Sequence, residues 1–221
     1  IAWEMCSRKV KQPLVVSQNW LVVNLLRMLS ALIEAEIPLD PGTRDLSAKE
    51  KEVKVDLLFW LAFVWSFGCT TDEDGRNKLN SFILDMMQGK LLQEKYQLIC
   101  SDSERRPVAK VPFPEDGTVY DYYPSSQSSK WELWTKKITG FDIPKDAQVH
   151  TIIVPTTDTV RNAFLLQTLV RAKSHVLFSG PTGTGKTVVI QQELLKNFDR
   201  EQFVSAAFAF SAQTSANQTQ D

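Results

Sequence analysis

Residues 180–187, GPTGTGKT, constrain this chain more than any other stretch, because they fit G-x-x-x-x-G-K-[ST] at every fixed position. Glycines at 180, 183 and 185 let the backbone curl until successive amide N–H groups point at one anion. Lys186 then neutralises β and γ phosphates, and the Thr187 hydroxyl ligates Mg²⁺. The pattern assigns Gly180, Pro181, Thr182, Gly183, Thr184, Gly185, Lys186 and Thr187 to a phosphate site, with Thr187 as the metal ligand. The run HVLFSG at 175–180 has the composition of a compact buried strand. The helix expected after the loop carries Ile190, Leu194 and Phe198 on one face and turns the positive end of its dipole toward the same anion. Strand, loop and helix in that order predict an α/β module.

The first hundred residues carry a different texture. A helix is expected from about Gln18 to Glu36, stopped by IPLDPG. A second begins at Ser47, where Glu50 completes a capping box, and runs through 57–67 to Gly68. A third carries Leu79, Phe82, Ile83 and Met86 at helical spacing. From 101 to about 144 the chain turns to Pro, Gly, Ser and aromatic residues, the chemistry of turns and short strands, in a hairpin expected to pack on a neighbouring surface. After Lys145 come a β-rich run at 149–155, a helix with Thr157 or Asp158 as N-cap and Val160, Phe164, Leu165 and Leu169 on one face, and a last strand signal at 203–210. The texture divides the chain into 1–110, helical; 111–144, hairpin and linker; and 145–221, the start of the P-loop module.

Charge and composition remove several classes. Lys plus Arg number 25 against 26 for Asp plus Glu, so no global field favours nucleic acid or an anionic membrane. Tyr120, Tyr122, Tyr123, Trp131 and Trp134 have no basic stripe beside them, which argues against a base-stacking platform. The apolar runs at 20–33 and 57–67 fall short of the roughly 20 residues a bilayer requires. The three cysteines, Cys6, Cys69 and Cys100, make neither a zinc pattern nor a secreted framework, and point to a reducing, cytosolic setting. The N-terminus has no signal-peptide pattern and reads as a cut end.

Hydrolysis needs an acid at the end of a second strand to hold magnesium and a group to orient water. The acids after Thr187 are Glu193, Asp199, Glu201 and Asp221, and none ends a strand signal. No catalytic residue is therefore assigned within the chain, and the parallel sheet is expected to be incomplete.

The run VPTTDTVRNAFLLQTLVRAKSHVLFSGPTGTGKT, with FSAQTSANQTQ after it, resembles the third AAA module of a dynein heavy chain, in its axonemal rather than cytoplasmic form. Upstream, DEDGRNKLNSFILDMM, VPFPEDGTVYDYY and KWELW resemble the helical lid of the second AAA module and the hairpin linker joining it to the third. The resemblance covers nearly the whole chain. It implies a P-loop AAA+ large subdomain built on a parallel sheet, preceded by an α-helical lid subdomain and a β-hairpin linker. It also implies an ATPase motor acting on microtubules in the axoneme of cilia or flagella. The ligands implied are ATP or ADP with Mg²⁺. The partners implied are neighbouring AAA modules of the same heavy chain, microtubules and other dynein subunits, with no nucleic acid and no membrane. The third module resembles a regulatory site, and the resemblance implies that the segment Ile153, Val154, Pro155, Thr159 and Val160 lies near the adenine. Arg76 falls in the lid, where some AAA proteins place a nucleotide-sensing arginine; a surface or capping role is preferred for it. His150 and His175 read as ordinary strand-end residues. A free-standing P-loop kinase or GTPase and a module that binds nucleotide without turnover are the rival classes.

Overall fold

Helix α2 (Gln18–Glu36) forms where apolar residues recur three and four apart, and it buries Leu21, Met28, Ala31 and Leu32. The computed structural model describes residues 2–14, 16–37, 46–90, 95–97, 108–138, 154–211 and 213–217. They fall into two compact units, Ile1–Val176 and Leu177–Asp221.

In the first unit, α3 (Ala48–Gly68) starts on the expected capping box. The Ser47 hydroxyl accepts from the Glu50 amide at 3.3 Å, and Glu50 Oε2 accepts from the Ser47 amide at 2.9 Å. Its C-terminal half is apolar on all sides, and every residue from Trp60 to Gly68 is buried, so this helix is the core about which the unit is built. No helix among the described residues is long and apolar enough to cross a membrane. α1 (Ala2–Arg8) adds Met5 and Cys6 to that core. α4 (Glu73–Met87), capped by Asp72 Oδ1 accepting from the Gly75 amide at 2.8 Å, adds Leu79, Phe82, Ile83 and Met86.

The aromatic stretch forms an antiparallel hairpin of β1 (Tyr122–Pro124) and β2 (Trp131–Leu133), in the register Tyr122 to Leu133, Tyr123 to Glu132 and Pro124 to Trp131. A 3₁₀ turn follows at Trp134–Lys137. Phe113 stacks on Trp131 at 3.9 Å, Trp131 Nε1 donates to the Val111 carbonyl at 2.9 Å, and Tyr120 meets Trp65 of α3 edge-on at 5.7 Å. These rings are hairpin core.

Helix α5 (Thr157–Arg171) begins one residue earlier than expected. Thr156 is the N-cap: its hydroxyl accepts from the Thr159 amide at 3.2 Å and Thr159 Oγ1 accepts from the Thr156 amide at 2.7 Å, while Asp158 is committed to Arg161. α5 packs on α2 and on the 3₁₀ turn, with Phe164 edge-on to Trp134 at 5.3 Å. The first compact unit therefore runs to Val176, past the change of texture at 145.

The second unit holds α6 (Lys186–Gln192), which widens into a π turn at Glu193–Asn197. Val189 and Phe198 are buried, and Phe198 meets Phe203 edge-on at 4.9 Å. The expected strands at 175–180 and 203–210 form no ladder, and Leu177, Val204 and Phe208 stay 82%, 99% and 80% exposed. Strand pairing is non-local: an apolar run becomes a buried strand only with a neighbour to share its hydrogen bonds, and among the described residues neither run has one. The hairpin is the one sheet among those residues, so the parallel sheet is not seen. Of the run at 149–155, residues 149–153 lie outside the described residues.

Candidate phosphate-binding loop

The loop at 180–187 turns on two glycines in the left-handed region, Gly183 at φ +79° and Gly185 at φ +76°, a conformation that costs a side chain energy and costs glycine none. Gly185 is the N-cap of α6 and launches Lys186 and Thr187 into its first turn. The Lys186 side chain doubles back over the loop. Its ammonium donates to the Gly180 carbonyl at 2.8 Å, to the Pro181 carbonyl, and to Thr184 Oγ1 at 3.0 Å. A Cβ built on Gly180 would stand 3.7 Å from both Lys186 Nζ and Thr184 Oγ1. Pro181, Thr182, Gly183, Thr184 and Thr187 are exposed and Lys186 is half-buried, so the loop that carries the amides, the ammonium and the Thr187 hydroxyl is open to solvent. This is a donor set for phosphate, with one neutral oxygen for a hard cation.

The structure thus gathers Gly180, Pro181, Thr182, Gly183, Thr184, Gly185, Lys186 and Thr187 on one loop. Val154, 59% exposed, and half-buried Val160 belong to the first unit. Thr159 spends its hydroxyl on the α5 cap, Pro155 is half-buried, and Ile153 lies outside the described residues. His175 is exposed and His150 lies outside.

Two of the acids after the loop, Glu193 and Asp199, are held inside their own turns. Glu193 is buried and accepts from Asn197 Nδ2 at 2.9 Å, and Asp199 Oδ1 accepts from the Glu201 amide at 2.9 Å. Among the described residues no group of three or more His, Cys, Asp or Glu could hold a metal. Arg76 is the residue for which a surface or capping role is expected. It is half-buried with its guanidinium 5.7 Å from the Tyr120 ring centroid, and its Nε has no hydrogen-bond partner among the described residues.

Sequence reasoning overlooks three contacts. One is the Thr184 hydroxyl on Lys186. The others are Arg161 over Trp65 at 4.7 Å and Lys137 among Tyr123, Trp134 and Phe164 at 4.4, 5.8 and 4.4 Å. Burial among those rings pushes the Lys137 amine below its ordinary value, with Glu36 opposing. The two lysines that follow the two tryptophans in WELWTKK were the available signal for Lys137.

Two family descriptions match this chain in succession, the dynein heavy chain AAA lid domain over residues 2–136 and the P-loop containing dynein motor region over 141–221. The chain is 34% identical over 216 residues to dynein axonemal heavy chain 3 of Homo sapiens, which covers 94% of this chain and 5% of that protein. It is 35% identical over 165 residues to dynein axonemal heavy chain 12 of Mus musculus, covering 74% and 5%. It is 32% identical over 168 residues to the dynein-1-beta heavy chain of the flagellar inner arm I1 complex of Chlamydomonas reinhardtii, covering 76% and 3%. The chain thus spans about a twentieth of the length of these curated relatives or less.

Proposed function

Because this chain belongs to the dynein heavy chain family, we propose that residues 180–187 are the Walker A loop of a regulatory AAA nucleotide site. The observation that carries the reading is the Lys186 ammonium, drawn across a loop in which Gly183 and Gly185 take the left-handed backbone conformation. The donor set fits ATP or ADP with Mg²⁺. Loop amides and Lys186 meet phosphate oxygens, and Thr187 offers its hydroxyl to the metal. When bound, magnesium supplies charge neutralisation between phosphates. Lys186, the one side-chain cation within the motif, distinguishes a phosphate-bearing ligand from an uncharged one.

The proposal extends to domain order and to the whole protein. Residues 1–110 are the lid of one AAA module, 111–144 the hairpin linker, and 145–221 the start of the next module. The two family matches meeting between 136 and 141 support that order. The runs at 175–180 and 203–210 pair as parallel strands once neighbouring strands flank them. The intact heavy chain is an ATP-driven motor on microtubules, in the axoneme of cilia or flagella, working with neighbouring AAA modules and other dynein subunits. It uses neither nucleic acid nor membrane. The names of its axonemal and flagellar relatives support the location.

Titration with a fluorescent ADP analogue tests the site. Lys186→Ala is expected to weaken binding at least tenfold, about 1.4 kcal/mol. Unchanged affinity overturns the reading.

A further inference from the structure

We infer that Thr184, at a position the P-loop pattern leaves open, is a positioning residue that tunes phosphate affinity by competing for the Lys186 ammonium. The inference rests on the nucleotide reading above.

An ammonium has three N–H donors and no acceptor. Here those donors are directed at the Gly180 carbonyl, the Pro181 carbonyl and Thr184 Oγ1. The Thr184 hydroxyl has a single proton, which it donates to the Pro181 carbonyl at 3.0 Å. That bond fixes the rotor and turns its lone pairs toward Lys186. The Pro181 carbonyl thus accepts from both side chains, and the three contacts hold one another in place. For Lys186 to reach phosphate oxygens it must give up some of these acceptors, so phosphate binds in competition with the loop's own oxygens. Two of the three are backbone carbonyls that no side-chain substitution removes. Thr184 is the adjustable one. Among the described residues it is not one of the non-glycine positions with positive φ, so valine fits its backbone without strain.

The expected effect has a definite sign. Thr184→Val keeps the shape, removes one acceptor and frees the ammonium, so Mg-ADP and inorganic pyrophosphate bind roughly two- to tenfold tighter. Thr184→Ser retains the hydroxyl and returns to wild-type affinity. A ligand-free readout accompanies the titration. The rate at which Lys186 reacts with acetic anhydride in the 221-residue chain, read by mass spectrometry, rises in Thr184→Val and not in Thr184→Ser. Weaker or unchanged binding in Thr184→Val, with Lys186 reactivity also unchanged, overturns the inference. A wild-type affinity indifferent to Lys186→Ala overturns the nucleotide reading instead, while the reactivity comparison still decides whether Thr184 holds Lys186.

Discussion

Arg161 of α5 lays its guanidinium over the indole of Trp65 in α3, 4.7 Å from the ring centroid, with Asp158 as its carboxylate partner one turn earlier. Arg161 is 8% exposed and Trp65 4%. Burial pushes the guanidinium below its ordinary value, with Asp158 opposing, yet arginine keeps its charge in proteins. The ring face compensates the lost hydration, and the contact ties a helix within the P-loop family match to a helix within the lid match. A double-mutant cycle with Trp65→Leu and Arg161→Met is expected to return a coupling of about 1–2 kcal/mol in urea unfolding followed by tryptophan fluorescence. Additive single effects would show that the two side chains merely pack side by side.

Gly68 ends α3 directly against Tyr120. A Cβ there would stand 2.4 Å from Tyr120 Oη and 2.7 Å from a ring carbon, closer than any real contact. The Tyr120 hydroxyl is itself buried without a hydrogen-bond partner among the described residues, and burial pushes its pKa up, so that it stays protonated. Two opposite outcomes are expected. Gly68→Ala overpacks the site and costs about 1–3 kcal/mol. Tyr120→Phe removes an unsatisfied hydroxyl and leaves stability unchanged or raises it by up to about 1 kcal/mol. Thermal unfolding of the two variants checks both, and a loss of more than about 1 kcal/mol in Tyr120→Phe reveals a partner for the hydroxyl.

Asp85 gives the first unit an acid-sensitive fastening. Its buried carboxylate accepts from Lys90 Nζ at 3.0 Å, from Tyr96 Oη at 2.7 Å and from Lys95. Burial alone would raise this acid, but the bonds from Lys95, Tyr96 and Lys90 outweigh it and hold the acid below its ordinary value. A carboxylate depressed in the folded state adds stability that is complete above the unfolded value and is lost as pH falls through the folded one. Asp85→Asn is therefore expected to cost about 1–3 kcal/mol at pH 7, and the gap from wild type should narrow as pH drops below about 4. Urea midpoints between pH 2 and 7 measure it, and a gap independent of pH refutes the assignment.

The elements legible in the sequence are those specified by neighbours in sequence. The start of α3 follows from Ser47 and Glu50, and the buried face of α4 from Leu79, Phe82, Ile83 and Met86. Residues 180–187 announce their glycine turns for the same reason. What depends on partners far along the chain is not legible. Leu177, Val204 and Phe208 have strand composition, yet composition cannot supply the neighbour that makes a strand. Nothing in the sequence singles out Arg161 until α5 docks beside Trp65. Thr184 occupies an unspecified position of the motif, so only the folded loop shows that its hydroxyl meets Lys186.

Turnover by the 221-residue chain separates binding from catalysis. Phosphoryl transfer is catalysed by positioning and charge, and an arginine finger alone is worth roughly 10³ to 10⁵ in rate. Residues 180–187 offer a cation and a magnesium hydroxyl, which suffices to bind. Glu193 is buried and bonded to Asn197, and Asp199 caps the Glu201 amide, so neither carboxylate is placed to hold magnesium opposite Thr187 or to orient water. Phosphate release from ATP is therefore expected to stay at solution background with saturating Mg²⁺, against the roughly 1 to 10³ per second of ordinary enzymes. The assay runs beside a Lys186→Ala chain made identically, with the nucleotide titration in parallel to establish that the loop is occupied. Turnover on the order of 0.1 per second or faster that Lys186→Ala abolishes would place catalytic groups within this chain and convert a binding site into an enzyme.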